Sequence, residues 1–294
     1  MAKLQQFFPS FPTAPAEEKT PPERATRQAR AVADFPAPAG AAAQRAVFRV
    51  PPGFKPETVC LTPPRPPVSG EPEERFFAFF REAREAFDGA ELILCPPETA
   101  PIRTDFSRRG VRGLLRETAL FEAFFRAAYR TSALARVSLL LPFVNDPGEA
   151  VPISRCAQKA LRTLLYRREP FDETIPIGIR LETPAAVLCG QRLLEDWDFA
   201  VADTDSLAMF LLALPAGETP GDCGRNILCQ AVRQCVETAH VCGRFCGISG
   251  FLAAEGSGNF PCPFDADALF LPPKNRLPNR LRTPSPTAAN RLTL

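Results

Sequence analysis

The stretch from Phe171 to Ala186, FDETIPIGIRLETPAA, constrains the fold of this chain more than any other. Ile175 to Leu181 is rich in β-branched and apolar residues over the length of one buried strand. Thr183-Pro184 then supplies a helix N-cap and a proline for the first helical turn. The segment reads as a strand that ends at Glu182 and turns at once into a helix. In a parallel barrel the C-terminal ends of the strands build the active site, so Glu182 is placed to meet a metal ion or a substrate. Arg180 stands two residues earlier, on the same face by strand alternation, and an internal Arg180–Glu182 salt bridge is expected. That leaves two roles open for Glu182, structural charge balance or ligand binding.

Similar units recur along the chain. Strand-like runs are expected at Ala46 to Val50, Glu91 to Cys95, Arg136 to Val144, Ile175 to Glu182, Phe199 to Asp203, Phe245 to Ser249 and Ala268 to Leu271. Helical faces lie between them: EPEERFFAFFREAREAF, GLLRETALFEAFFRAAYR, ISRCAQKALRTLLYRR, AAVLCGQRLLEDW and RNILCQAVRQCVETAHVCG. Alternation of this kind argues for βα units and an α/β fold of the (β/α)₈ TIM type. Seven strands are visible where eight are needed; the first is sought near Ala31 to Phe35, and the barrel is open or irregular there if it is missing. Residues 1–45 mix Pro, Ala, Glu and Arg without a lasting period, the composition of a disordered arm. Phe7, Phe8, Phe11 and Phe35 sit beside prolines in that arm as candidate anchors, on the barrel or on a partner. The barrel is assigned to residues 46–282 and a second disordered tail to 283–294.

A chain of 294 residues, 45% hydrophobic, can bury the core of such a barrel. Its net charge of +2, from 35 basic and 33 acidic residues, makes no electrostatic case for nucleic acid or an acidic membrane. No apolar run approaches the roughly 20 residues of a membrane span, and the first residues lack a signal peptide's basic start and apolar core. The expected location is cytoplasmic, and the ten cysteines are then reduced thiols. Cys223, Cys229, Cys235, Cys242 and Cys246 contain no C-x-x-C pair. Cys229 and Cys235 point about 120° apart on a helix, so small buried apolar residues are expected rather than a metal centre. The basic run KNRLPNRLR reads as a solvated last helix.

The wording of the Phe171 to Ala186 segment, of the form F-D-E-x-I-x-I-G-I-x-x-E-T-P-A-A, resembles the phosphoenolpyruvate-binding barrel of enzyme I, the phosphoenolpyruvate-protein phosphotransferase, and of its relative pyruvate phosphate dikinase. Other segments follow in the same order. FRV at Phe48 to Val50 is similar to the family's F-R-T-E strand, RGVRGLLR to its G-W-R-x-I-R element and LLLPFVND to its F-P-M-I strand. HVCGRFCGISGFLA resembles the H-x-x-G-x-x-x-G-M-C-G-E-L-A loop. The resemblance covers about Ala46 to Arg282. It implies phosphoryl transfer from phosphoenolpyruvate to a protein histidine with Mg²⁺, and a homodimer. No stretch of this chain is long enough to hold the phosphohistidine domain or the helical domain that receives the phosphocarrier protein.

Carried over by position, Glu182 matches the first metal ligand. Aligned on Leu207, the second, an aspartate, falls on Ser206 and the asparagine before it on Asp205, so Asp205, or Asp203, is the candidate replacement. Arg49 and Arg112 match phosphate-binding arginines, whereas two further arginines fall on Cys95 and Ala216. The catalytic cysteine that protonates the enolate falls on Ser249, a far weaker acid, with Cys246 a badly placed stand-in; the next acidic residue falls on Phe251. His240, the only histidine, matches a structural position at a helix end and is expected to cap or to answer the helix dipole. These substitutions imply a barrel degenerate for catalysis. Two roles remain: residual binding or sensing of phosphoenolpyruvate or pyruvate, and a non-catalytic interaction or regulatory protein that uses the dimer surface, as a homodimer or with an intact family member. A third is another acid-binding barrel, a pyruvate-type aldolase or lyase, which needs a metal pair that the sequence does not offer.

Overall fold

In a computed structural model, which describes residues 29–35, 55–66, 70–99, 108–256 and 264–271, eight parallel strands close into a barrel in sequence order. They are β1 (Arg30–Phe35), β2 (Thr58–Leu61), β3 (Glu91–Leu94), β4 (Val137–Leu141), β5 (Ile177–Leu181), β6 (Phe199–Asp203), β7 (Phe245–Ser249) and β8 (Ala268–Leu271). The seam is complete: β1 pairs with β2 through Ala33 and Val59, and with β8 through Arg30 and Ala268. The expected first strand is therefore present. It lies within the stretch read as a disordered arm, so the barrel begins before Ala46; Pro36 and the prolines after it mask a six-residue run that is too short to announce itself. The second strand was placed at Ala46 to Val50, which lies outside the described residues, whereas β2 forms from TVCL. Arg49, Phe7, Phe8, Phe11 and the C-terminal tail also fall outside them.

The helices α1 (Pro72–Ala86), α3 (Thr118–Ser132) and α4 (Ala150–Arg167) show how the pattern becomes packing. Pro72 opens α1 and Glu73 and Glu74 occupy its first turn, favourable for proline geometry and for the helix dipole. Its buried stripe Phe76, Phe80 and Ala83 meets Phe121, Phe124 and Phe125 of α3. Phe124 lies edge-on to Phe76 and Phe80, with ring centroids 5.9 and 6.1 Å apart. Glu73, itself buried, accepts from Arg126 at 2.6 Å, Arg130 at 3.1 Å and Arg167 at 2.8 Å, and so ties α1, α3 and α4 together. One expected helix, GLLRETALFEAFFRAAYR, is two: α2 (Gly110–Arg116) ends where Glu117 leaves helical geometry, and α3 starts again at Thr118. The segment after β5 likewise divides at Cys189 into α5 (Pro184–Leu188) and α6 (Gly190–Leu194). The remaining helices are α7 (Thr204–Leu212), α8 (Asp222–Val241) and α9 (Phe251–Gly256).

Inside the barrel, Val32, Cys60, Ile93, Cys95, Leu140, Phe199, Val201, Ala268 and Phe270 pack on one another. Two inward glycines make room for the rings. A Cβ on Gly178 would lie 2.5 Å from the Phe199 ring, and one on Gly247 2.5 Å from the Phe270 ring, so any side chain there would overlap an aromatic. Phe199 thereby fills the lower barrel and Phe270 its middle, and the polar inward residues are left at the C-terminal ends of the strands. At the opposite end His240, in the last turn of α8, binds Asp267 Oδ2 through Nε2 at 2.9 Å, and the same oxygen accepts from the Cys246 N–H at 2.8 Å. His240 thus takes a structural place remote from the mouth. Among the described residues no helix is long and apolar enough to cross a membrane.

Candidate functional site

Glu182 follows β5 directly, and its geometry is set by what comes after it. Thr183 caps α5, its hydroxyl oxygen accepting from the Ala186 N–H at 3.2 Å, while Pro184 fills the first helical position. The strand-to-helix turn read from the sequence is therefore real, and it leaves Glu182 inward and only 4% exposed. One carboxyl oxygen accepts from the Phe143 N–H at 2.7 Å, the other from the Ser206 hydroxyl at 3.2 Å. Phe143 presents that N–H from a left-handed conformation, φ 57°, which a non-glycine residue adopts only under constraint. The constraint comes from α2. Val111 N–H donates to the Pro142 carbonyl at 3.1 Å, and Gly110 packs so closely that a Cβ would lie 2.6 Å from that carbonyl and from Phe143 Cβ. Burial raises the Glu182 pKa to about 8, with Asp203 adding to the rise, against the lowering fields of Arg180 and Arg109 and the Phe143 hydrogen bond. At neutral pH the group is mostly a neutral carboxylic acid.

The ends of β6 and β7 are stitched beside it. Asp203 caps α7 by accepting from the Ser206 N–H at 2.8 Å, and its second oxygen accepts from the Ser249 hydroxyl at 2.7 Å. Thr204 donates to the Ser249 carbonyl at 2.8 Å. Asp205, exposed, turns to the Phe251 N–H at 3.0 Å; burial of its carboxyl, with the nearby Asp203, raises its pKa to about 6. The expected pair Glu182 and Asp205 is thus not drawn together: Ser206 reaches Glu182 while Asp205 serves the β7–α9 turn. Among the described residues no group of three or more His, Cys, Asp and Glu side chains is disposed to hold a metal ion. Mg²⁺ demands several oxygen ligands in near-octahedral array, and Glu182 with Ser206 rather than a second carboxylate beside it is a poor set for that.

The expected Arg180–Glu182 ion pair is absent; the residues share a face, but the guanidinium leans toward β2 and β3. Its Nη2 lies 3.8 Å from Cys95 Sγ, and Cys95 Sγ lies 3.6 Å from Cys60 Sγ. Hydrogen bonding with Cys60 lowers the Cys95 pKa, helped by Arg180, whereas the same bond and burial push Cys60 well up. Burial disfavours the charge on Arg180, but the fields of Cys95, Cys60, Asp34 and Asp203 outweigh it and hold the guanidinium cationic. Its buried Nε has no hydrogen-bond partner. Arg112 instead lies at the rim: 45% of its side chain is exposed and its Nε pairs with Glu149 at 2.6 Å. The buried arginine of this segment is instead the residue before Gly110. Arg109 is 7% exposed, its guanidinium lies 4.2 Å from the Phe143 ring centroid, and its Nη1 is buried without a partner. Sequence reasoning missed Arg109, Asp34 and Cys60; a short alternation in AVADF was the one available signal for Asp34. In the cysteine cluster Cys235 and Cys246 are buried, but Cys223 is exposed.

Residues 105–259, more than half of the chain, match the model of the family described as PEP-utilising enzyme, PEP-binding domain. The chain belongs to that family. Curated relatives of this PEP-utilising barrel include multiphosphoryl transfer protein 2 of Escherichia coli K12, 25% identical over 209 residues, covering 65% of this chain and 25% of that protein. The phosphoenolpyruvate-protein phosphotransferase of Buchnera aphidicola subsp. Schizaphis graminum is 27% identical over 151 residues, 50% of this chain and 26% of the relative. This barrel therefore spans about a quarter of the length of these relatives. Among solved structures, the HpcH/HpaI aldolase of Desulfitobacterium hafniense DCB-2 aligns with a TM-score of 0.46 at 12% identity, over 74% of this chain and 77% of that one.

Proposed function

We propose that this PEP-utilising barrel binds a small acid of the phosphoenolpyruvate or pyruvate class at its mouth and has lost phosphoryl transfer. The observation that carries the reading is the capture of Glu182 by the Phe143 N–H and the Ser206 hydroxyl. Phosphoryl transfer depends on fixed cations that neutralise the charge spread over the transferred group, and Glu182 held in this way, with a serine rather than a second carboxylate at position 206, is a poor holder for one. The proton step fails for a second reason. Ser249 stands where an acidic thiol would be needed, and its hydroxyl proton is committed to Asp203 at 2.7 Å. What remains at the mouth is cationic and suited to binding: Arg180 and Arg109 face the end of β5.

The test is a thermal-shift titration of the full chain with phosphoenolpyruvate and pyruvate, each with and without Mg²⁺, beside an assay for label transfer from ³²P-phosphoenolpyruvate to a histidine-bearing acceptor protein. An upward shift without label transfer is expected. No shift with either acid at millimolar concentration refutes the binding half, and steady label transfer refutes the other. A partner-binding role, with a second copy or an intact relative, draws on the neighbouring exposed side chains Leu165 and Tyr166 in the last turn of α4, which are 62% and 90% exposed.

A further inference from the structure

We propose that Arg180 and Arg109 form a carboxylate clamp, through which this barrel binds a small monocarboxylic acid without any divalent cation. The inference rests on the reading of the mouth as a small-acid site and names the groups that hold the acid. Four buried side-chain atoms among the described residues lack a hydrogen-bond partner: Arg109 Nη1, Arg180 Nε, Trp197 Nε1 and Arg244 Nε. Trp197 and Arg244 precede β6 and β7, at the end of the barrel remote from the mouth. The other two belong to the two guanidiniums whose charges act on Glu182. Buried N–H groups are nearly always paired, so two orphaned donors at one mouth mark acceptor positions that a ligand completes.

Chemistry selects the acceptor. A guanidinium presents planar, forked donors that match a carboxylate in geometry and charge. The Phe143 ring lies against Arg109, and Cys95 Sγ lies 3.8 Å from Arg180 Nη2, so each clamp side chain is already packed in position. Both oxygens of Glu182 are already engaged, which leaves the arginines to supply the positive charge a metal would bring elsewhere. Asp34 and Asp203 stand close to Arg180, so a second negative charge on the ligand is disfavoured. A single carboxylate is therefore preferred over a phosphate group.

Calorimetric titration of the full chain in EDTA, with pyruvate and inorganic phosphate as probes, tests this directly. Pyruvate binding in EDTA, unchanged by Mg²⁺ and stronger than that of phosphate, is the expected result. Arg109→Gln and Arg180→Lys should each weaken it about 10- to 100-fold, while Arg84→Ala, a substitution at an exposed ion pair on α1, leaves it unchanged. Because a buried arginine is replaced, each variant is first checked for native melting, and the wild-type comparison stands alone if one fails to fold. Binding that appears only with Mg²⁺ overturns the clamp but leaves the small-acid reading intact. Preference for phosphate also overturns the clamp. Failure of pyruvate, phosphate and phosphoenolpyruvate to bind under any condition overturns both.

Discussion

Replacing Glu182 with glutamine should make the protein more stable above neutral pH, by an amount that the surroundings of the carboxyl group set. The amide is isosteric: its oxygen can accept the Phe143 N–H that now goes to Oε2, and its NH₂ can donate to the Ser206 oxygen. What changes is the proton. In the folded protein Glu182 keeps its proton up to about pH 8, whereas an ordinary glutamate loses it near 4.5. Its contribution to stability is therefore fully present below pH 4.5 and is lost as pH rises, until the folded form also ionises near 8. Each pH unit in that window is worth about 1.4 kcal/mol, so between pH 5 and pH 8 the wild type should lose roughly 4 kcal/mol relative to Glu182→Gln. Urea unfolding of both proteins at pH 5, 6, 7 and 8 reads this difference, and the comparison cancels other groups, such as Asp205, whose pKa of about 6 also lies in the range. Parallel stability curves, within about 1 kcal/mol at all four values, would refute the reasoning. They would mean that Arg180 and Arg109 keep Glu182 ionised despite its burial.

Gly178→Ala should cost about 1–3 kcal/mol in urea unfolding, because the new methyl lies 2.5 Å from the Phe199 ring and the barrel interior cannot yield; a loss below 0.5 kcal/mol contradicts the tight lower barrel. Glu73→Gln leaves Arg126, Arg130 and Arg167 facing one another without their shared anion and should cost about 3 kcal/mol, read by the same method. Ser206→Asp places a second carboxyl against Glu182. The melting temperature should fall in EDTA and recover with Mg²⁺, and an Mg²⁺ response equal to that of the wild type would show that positions 182 and 206 cannot share a cation.

The sequence made the second half of the barrel legible because each strand there runs straight into its own cap: Glu182 into Thr183-Pro184, and Asp203 into α7. β6 falls on the expected residues for that reason, and β7 and β8 also match. The first half was harder. β1 and β2 are short runs set among prolines, and only their partners across the seam, Ala268 and Val59, distinguish them from linker. At the site, alternation placed Arg180 and Glu182 on one face but could not show that Arg180 would lean away toward Cys95, a residue brought close only by closure of the barrel. Arg109 was hidden for a similar reason. Its direction depends on Gly110 and on the left-handed backbone at Phe143, and both are tertiary facts.

The three-arginine knot on Glu73 also divides the barrel mechanically. It binds α1, α3 and α4, helices of 15, 15 and 18 residues, into one slab around β2 to β4. Across the barrel, Glu182 and Ser249 stand on strands followed at once by short helices, α5 and α6 of five residues and α9 of six, whereas β6 leads through α7 into α8, which has 20 residues. Short helices held by few buried contacts open at lower free energy than long packed ones. Amide hydrogen exchange should therefore be slow through α1, α3 and α4 and faster through α5, α6 and α9, and equal protection in the two sets would contradict this division. The Glu73 slab is then the stiff flank of the mouth, beside Arg109 and Cys95, and the turns after β5 and β7 are its softer edge.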